Sequence, residues 1–213
     1  MKKALLFAAF LFLFTGVSQA QTKTYVSAAM EMIFSFASTE YTVVDPVEGD
    51  RIYDKGNIMR WAPVLNMQAM FNVDVAKPIG FFTGAAIRNV GFIYDIPESS
   101  IKKKFRTYNF GIPVGIKIGN VDKFFIFGGY EIEFPFQYKE KTFTNNSNKQ
   151  VYTNWFTNRV EQVQQSVLVG ITFPYGFNVK FKYYLTNFHN QDFYGYDPTD
   201  GSQGYPYANM KAN

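Results

Sequence analysis

From position 107 to 119 the chain reads TYNFGIPVGIKIG, and its large apolar residues fall on every second position. Tyr108, Phe110, Ile112, Val114, Ile116 and Ile118 alternate with Thr, Asn, Gly, Pro, Gly, Lys and Gly. Successive side chains of a strand point to opposite faces, so the spacing predicts a strand with one apolar face and one small or polar face. In a water-soluble barrel the apolar face fills the core and the opposite face is charged. Here the opposite face is small or polar, with three glycines and a single lysine, Lys117. That division suits a strand whose apolar side meets lipid and whose small side lines a crowded lumen.

The same period recurs along the chain. Over 25–38, Val26, Ala28, Met30, Met32, Phe34 and Phe36 share a face, with Glu31 on the other. Over 62–75, Leu65, Met67, Ala69, Phe71, Val73 and Val75 oppose Asn66, Gln68, Asn72 and Asp74. Over 79–95, Ile79, Phe81, Thr83, Ala85 and Ile87 oppose Arg88, and a bulge at Gly91 is expected to shift the phase so that Phe92 and Tyr94 continue the apolar face. Over 124–143, Phe124, Ile126, Tyr130, Ile132, Phe134, Phe136 and Tyr138 oppose Glu131 and Glu133. Over 159–173, Val163, Val167, Val169, Ile171 and Phe173 oppose Gln164, Ser166, Gly170 and Thr172. Over 177–188, Phe177, Val179, Phe181, Tyr183 and Leu185 oppose Lys180 and Lys182.

The connections at 39–61, 96–104, 144–158 and 190–209 are long and rich in turn residues, whereas those at 76–78, 120–123 and 174–176 are short. Long and short connections in strict alternation are what an up-and-down membrane barrel needs, with short turns at the periplasmic end and loops at the extracellular end. Seven strands would leave two unpaired edges in lipid. The expected fold is therefore all-β, an eight-stranded antiparallel up-and-down transmembrane β-barrel. Its eighth strand would begin at 208–213 and be truncated in this sequence.

The start of the chain supports export. Met1, Lys2 and Lys3 precede an apolar run at 4–14, and Ser18, Gln19 and Ala20 supply a small-residue cleavage site, so 1–20 is expected to be a signal peptide and 21–213 the barrel domain. Removing Lys2 and Lys3 from the 21 basic residues leaves 19 against 17 acidic ones, a net charge of +2 that is no footprint for nucleic acid. The 213 residues include no cysteine, which excludes disulfides, thiolate metal sites and thiol nucleophiles.

Tyr108-Asn109-Phe110-Gly111-Ile112-Pro113-Val114-Gly115-Ile116-Lys117, followed by Phe127-Gly128-Gly129-Tyr130, resembles a pattern of small outer-membrane barrels of the Bacteroidota, the PorT-like family. Gly111 stands where an acidic residue often precedes the Ile-Pro step in that family. The resemblance implies an outer-membrane β-barrel and, for its namesake, a role in type IX secretion.

With the apolar faces turned to lipid, Glu31, Asp74, Arg88, Lys117, Glu131, Glu133, Lys180 and Lys182 all point inward. Eight strands enclose a space that side chains just fill. Buried charges need partners, and heights counted from the short turns pair Arg88 with Glu131 and Glu133, and Lys182 with Glu31. A solute or proton path is the competing use of such a row. A second cluster is basic: Lys102, Lys103, Lys104 and Arg106 enter one strand where Lys139 and Lys141 leave its neighbour. Together they could hold lipopolysaccharide phosphates at the outer rim, or form a solvated loop face.

His189, the one histidine, lies just beyond the seventh strand. A hydrolase would need a serine and a carboxylate arranged against it, yet with Asp192 close in sequence no serine follows before Ser202. No enzyme, cofactor or metal is expected. Asp197 and Asp200-Gly201 read as a turn, and Pro113, Pro135 and Pro174 as bulges or ladder breaks. Trp61, Tyr94 and Tyr138 read as an outer aromatic girdle. The expected role is a structural, interaction or secretion-accessory component acting through its loops. Expected partners are outer-membrane lipid, lipopolysaccharide and other envelope or secretion proteins. The alternative is a soluble periplasmic lipocalin-like barrel with the faces reversed, binding an apolar ligand.

Overall fold

The computed structural model describes residues 22–43, 51–54, 58–95, 101–120, 123–144, 148–198 and 201–212; the expected signal peptide lies outside them. The described residues form antiparallel sheets without an α-helix. β1 (Lys23–Met30), β2 (Ile33–Ser35) and β3 (Thr39–Val43) rise in succession. β4 (Arg51–Asp54), β5 (Arg60–Ala62) and β6 (Met67–Ala76) descend beside them, so that β3 pairs β4, β2 pairs β5 and β1 pairs β6. The long strands β7 (Ile79–Asp95), β8 (Ile101–Asn120) and β9 (Phe124–Thr144) follow, then β10 (Asn148–Trp155), β11 (Gln164–Thr172) and β12 (Asn178–Tyr184). The last loop holds a small hairpin, β13 (Gly195–Tyr196) with β14 (Gln203–Gly204), and leads into β15 (Met210–Ala212).

The main sheet has the order β1-β6-β7-β8-β9-β11-β12, each strand beside the one before it in the chain, and β10 folds back on the upper part of β9. Much of the expected loop at 144–158 is thus a hairpin arm. Tight turns at Lys77-Pro78, Lys123 and Pro174–Gly176 gather at one end, as their length requires.

The exposed face of every main strand is apolar. Val26, Phe71, Phe81, Val114, Ile116, Ile126, Val169 and Phe181 all stand open, Val114 at 53% and Phe181 at 67%. The other face is buried against itself, because the sheet rolls until its first and last strands approach. Lys180 Nζ of β12 lies 2.6 Å from Oε1 of Glu31, which follows β1 directly. Even so, no ladder joins β1 to β12 among the described residues, so the expected closed eight-stranded barrel is seen as seven rolled antiparallel strands. β15 pairs with β3 on one side, and Phe188 N donates to Ala212 O at 2.8 Å on the other.

Two expectations of phase are corrected. The β7–β8 ladder runs without a slip from Ile87 opposite Phe110 to Asp95 opposite Lys102, so Gly91 is no bulge. Gly91 instead adopts φ 154° where the Phe105 carbonyl occupies the place of a Cβ. Phe92 and Tyr94 consequently stay on the inner face with Arg88. The slip lies in β9: Tyr108 faces Gln137 and Asn109 faces Pro135, leaving Phe136 as the extra residue. Pro135 has no N–H to give, and one inserted residue turns all that follows to the opposite face. Tyr138, Glu140 and Thr142 are therefore buried, and neither Tyr94 nor Tyr138 belongs to a girdle. Trp61 does stand exposed on β5.

Candidate functional site

Four cations and four carboxylates expected on the inner face meet there in two groups. Near the turns, Lys117 Nζ lies 2.5 Å from Asp74 Oδ1, and donates to Tyr25 Oη at 3.0 Å and Asn72 Oδ1 at 3.1 Å. Higher up, Arg88 is the hub. Its Nη1 reaches Glu31 Oε2 at 2.6 Å, its Nε reaches Glu131 Oε1 at 2.9 Å, and its Nη2 donates to Gln68 Oε1 at 2.8 Å. Lys182 Nζ bridges Glu131 Oε2, at 2.7 Å, and Glu133 Oε1. Tyr184 donates to Glu133 Oε1 at 3.0 Å, and Asn109 Nδ2 donates to Glu133 Oε2 and Gln164 Oε1, each at 2.8 Å.

Two expected pairings shift partners. Lys180 binds Glu31, the role assigned to Lys182, and Lys182 takes up Glu133, the role assigned to Arg88. Strands in a rolled sheet are tilted and staggered, so residues at equal distance from a turn are not at equal height.

The small residues of this face are small because charge and aromatic rings occupy their side-chain space. A Cβ on Gly80 would strike Asp74 and Lys117, one on Gly111 would strike Glu131, and those on Gly115 and Gly170 would strike the rings of Phe82 and Phe127. Phe82 and Phe127 themselves meet edge to face at 6.1 Å. Glycine opposite a bulky neighbour signals such crowding in sequence, but which neighbour fills the gap depends on the roll.

Above the network an aromatic cap closes the interior. Phe92, Tyr94, Phe105, Tyr138, Val160, Phe188, Tyr207, Met210 and Ala212 pack together. His189, 1% exposed, sits among them, its ring stacked on Tyr207 at 4.2 Å. His189 Nε2 faces Tyr138 Oη at 3.5 Å rather than a serine. Tyr138 and Tyr207 both donate to Glu140 Oε2, at 2.8 and 3.1 Å, and Arg159 Nη1 donates to Tyr207 Oη at 3.0 Å. Burial, with the charges of Lys103 and Arg159 behind it, holds the His189 imidazole well below its ordinary range. The ring also packs edge to face against Phe105 at 4.5 Å and Phe188 at 4.8 Å.

The basic cluster divides. Lys103 points inward to Glu140 at 3.2 Å and Asp197 at 3.8 Å, and Lys102 pairs with Asp95 at 3.6 Å. Lys104, Arg106, Lys139 and Lys141 remain on the outer face, joined by Lys149 of β10, which reading 144–158 as a loop had hidden. Asp197 closes a turn, accepting from Gly201 N at 3.0 Å. Among the described residues no group of three His, Asp or Glu is placed to hold a metal ion.

The chain matches no family model, no curated protein and no solved structure. Its interior and its rim therefore speak through their chemistry alone.

Proposed function

We propose that this chain is an integral outer-membrane β-barrel with a filled, charge-paired lumen, serving as a structural, interaction or secretion-accessory component through its extracellular loops. One observation carries the reading: every main strand turns apolar side chains outward while the opposite face buries a balanced set of ion pairs. An exposed apolar surface of this extent is foreign to a soluble monomer. A lipocalin-like barrel would place these faces the other way.

The dimensions agree. Tyr108, Phe136 and Trp155 stack on the outer face near the loops, at 6.4 and 6.1 Å, while Phe124, Phe173 and Phe177 cluster near the turns at 5.8 and 5.9 Å. These two rows suit the aromatic girdles at the two faces of a membrane barrel. From Tyr108 to Asn120, beside Phe124, the strand spans about 40 Å at ~3.3 Å per residue. A tilt of about 45° reduces that to about 28 Å, the thickness of a bilayer's hydrocarbon. The edge strands β1 and β12 approach through the Lys180–Glu31 pair, which supports closure of the sheet into a barrel.

The test is to express the full gene, fractionate the envelope, and compare boiled with unboiled samples on a gel. Outer-membrane recovery with faster migration of the unboiled protein is expected. Release with the periplasmic contents would overturn the proposal.

A further inference from the structure

Five cations share one patch of the outer face. Lys104 of β8 stands directly opposite Lys141 of β9, Arg106 stands opposite Lys139, and Lys149 of β10 faces Phe143 one step away. Like charges directly opposed across a ladder destabilise it unless an anion lies between them. Among the described residues none of the five has a carboxylate partner; the nearby Glu140 is turned inward to Lys103. Burial and the charges of Lys149, Lys139, Arg106 and Lys104 together lower the pKa of the Lys141 ammonium.

The patch has a definite place along the strands. Directly below it lies the stacked row Tyr108–Phe136–Trp155, and the Arg106 guanidinium rests over the Tyr108 ring at 4.6 Å. Below that row stand Phe110, Ile112 and Phe134, all exposed. Reading outward, the surface is apolar, then a stacked aromatic row, then cationic. A ligand covering all three levels has acyl chains, an interfacial sugar or glycerol body, and phosphates at its top. We propose that Lys104, Arg106, Lys139, Lys141 and Lys149 form a docking site for the phosphorylated sugar headgroup of an outer-leaflet glycolipid, whose acyl chains lie along β8 and β9. The inference rests on the membrane reading above, and it replaces Lys102 and Lys103 of the expected rim cluster with Lys149.

Binding of lipid A to the detergent-solubilised full chain, followed by native mass spectrometry and by the fluorescence of Trp155, tests it. The wild-type chain should bind bisphosphorylated lipid A at least tenfold more tightly than the dephosphorylated glycolipid, and the preference should shrink as salt rises. Millimolar inorganic phosphate should not displace the lipid. The combined Lys104→Gln, Lys139→Gln, Lys141→Gln variant should lose the preference, while Lys102→Gln keeps it. Equal binding of the two glycolipids, or full competition by inorganic phosphate, overturns the proposal without any variant having to fold. A wild-type chain that shows the heat-dependent gel shift but no preference between the glycolipids sinks the glycolipid site alone; a wild-type chain that shows neither sinks the membrane reading beneath it.

Discussion

Arg88 ties three strands together through one guanidinium, so the interior depends on it more than on any other side chain. Removing it leaves Glu31 with Lys180 alone and Glu131 with Lys182 alone, both in a buried interior. Breaking a buried network from one side costs about 3 to 5 kcal/mol, most of it the penalty for the carboxylate left behind. Arg88→Met should therefore lower the unfolding midpoint in denaturant by that equivalent, whereas Lys180→Met, whose partner keeps Arg88, should cost less. His189 makes a different prediction. It is outside the apolar band, in the cap, and its folded pKa lies well below the ordinary 6.5. Above about pH 6.5 the imidazole is neutral whether the cap is folded or open, so it adds no pH dependence. Below that, the opened segment takes up a proton that the folded cap refuses, and stability falls with pH. Protease cleavage within 190–209 should accelerate as pH drops below about 6.5, and His189→Phe, which keeps the stack, should flatten the response. Alternation alone put the eight network charges on one face, but it placed Phe92, Tyr94 and Tyr138 outside, where the structure buries them. Of the expected partners Arg88 and Glu131 do meet, while those of Lys182, Glu31 and Glu133 shift, because they depend on tilt and stagger, which no single strand records.

At the level of the element, β9 carries the feature that most affects its neighbours. The extra residue Phe136 moves Tyr138, Glu140 and Thr142 from the outer face to the inner one and delivers Lys139 and Lys141 to the surface. Deleting Phe136 would restore a simple ladder and reverse those five positions. Tyr138 and Glu140 would leave the cap, and Lys139 and Lys141 would enter it. The deletion is expected to abolish the cap's protease resistance, with little change in the lower sheet, where Phe125 to Ile132 pair with β11 independently of the bulge. Limited proteolysis with mass mapping of the fragments measures both. Pro135 marked the place in the sequence. Its consequence was hidden, since a proline lacking a ladder bond can break, bend or bulge a strand, and only the opposite strand's register distinguishes these. At Gly91 the same reasoning pointed to a bulge where close backbone approach was the cause.

For the whole molecule the decisive property is sidedness. Seven strands agree on which face is apolar, their inward charges balance, and the two edges are brought within one side chain's reach of each other by Lys180 and Glu31. The alternation of long and short connections makes this plan readable in the sequence, since turn length constrains strand direction. The cap was not readable, because residues 188–198 and 201–212 have no period and reach the interior through tertiary contacts such as the Tyr207 stack on His189. The absence of cysteine allows a direct measurement of sidedness. Single substitutions Ser166→Cys, Val167→Cys and Val169→Cys on β11, each carrying a small fluorophore in lipid vesicles, sample the inner face once and the outer face twice. Fluorescence at Val167→Cys and Val169→Cys should be quenched by brominated lipid and ignored by aqueous iodide, while Ser166→Cys should resist labelling in the folded chain. Iodide quenching at positions 167 and 169, with no effect of brominated lipid, would contradict a barrel that turns these faces to the membrane.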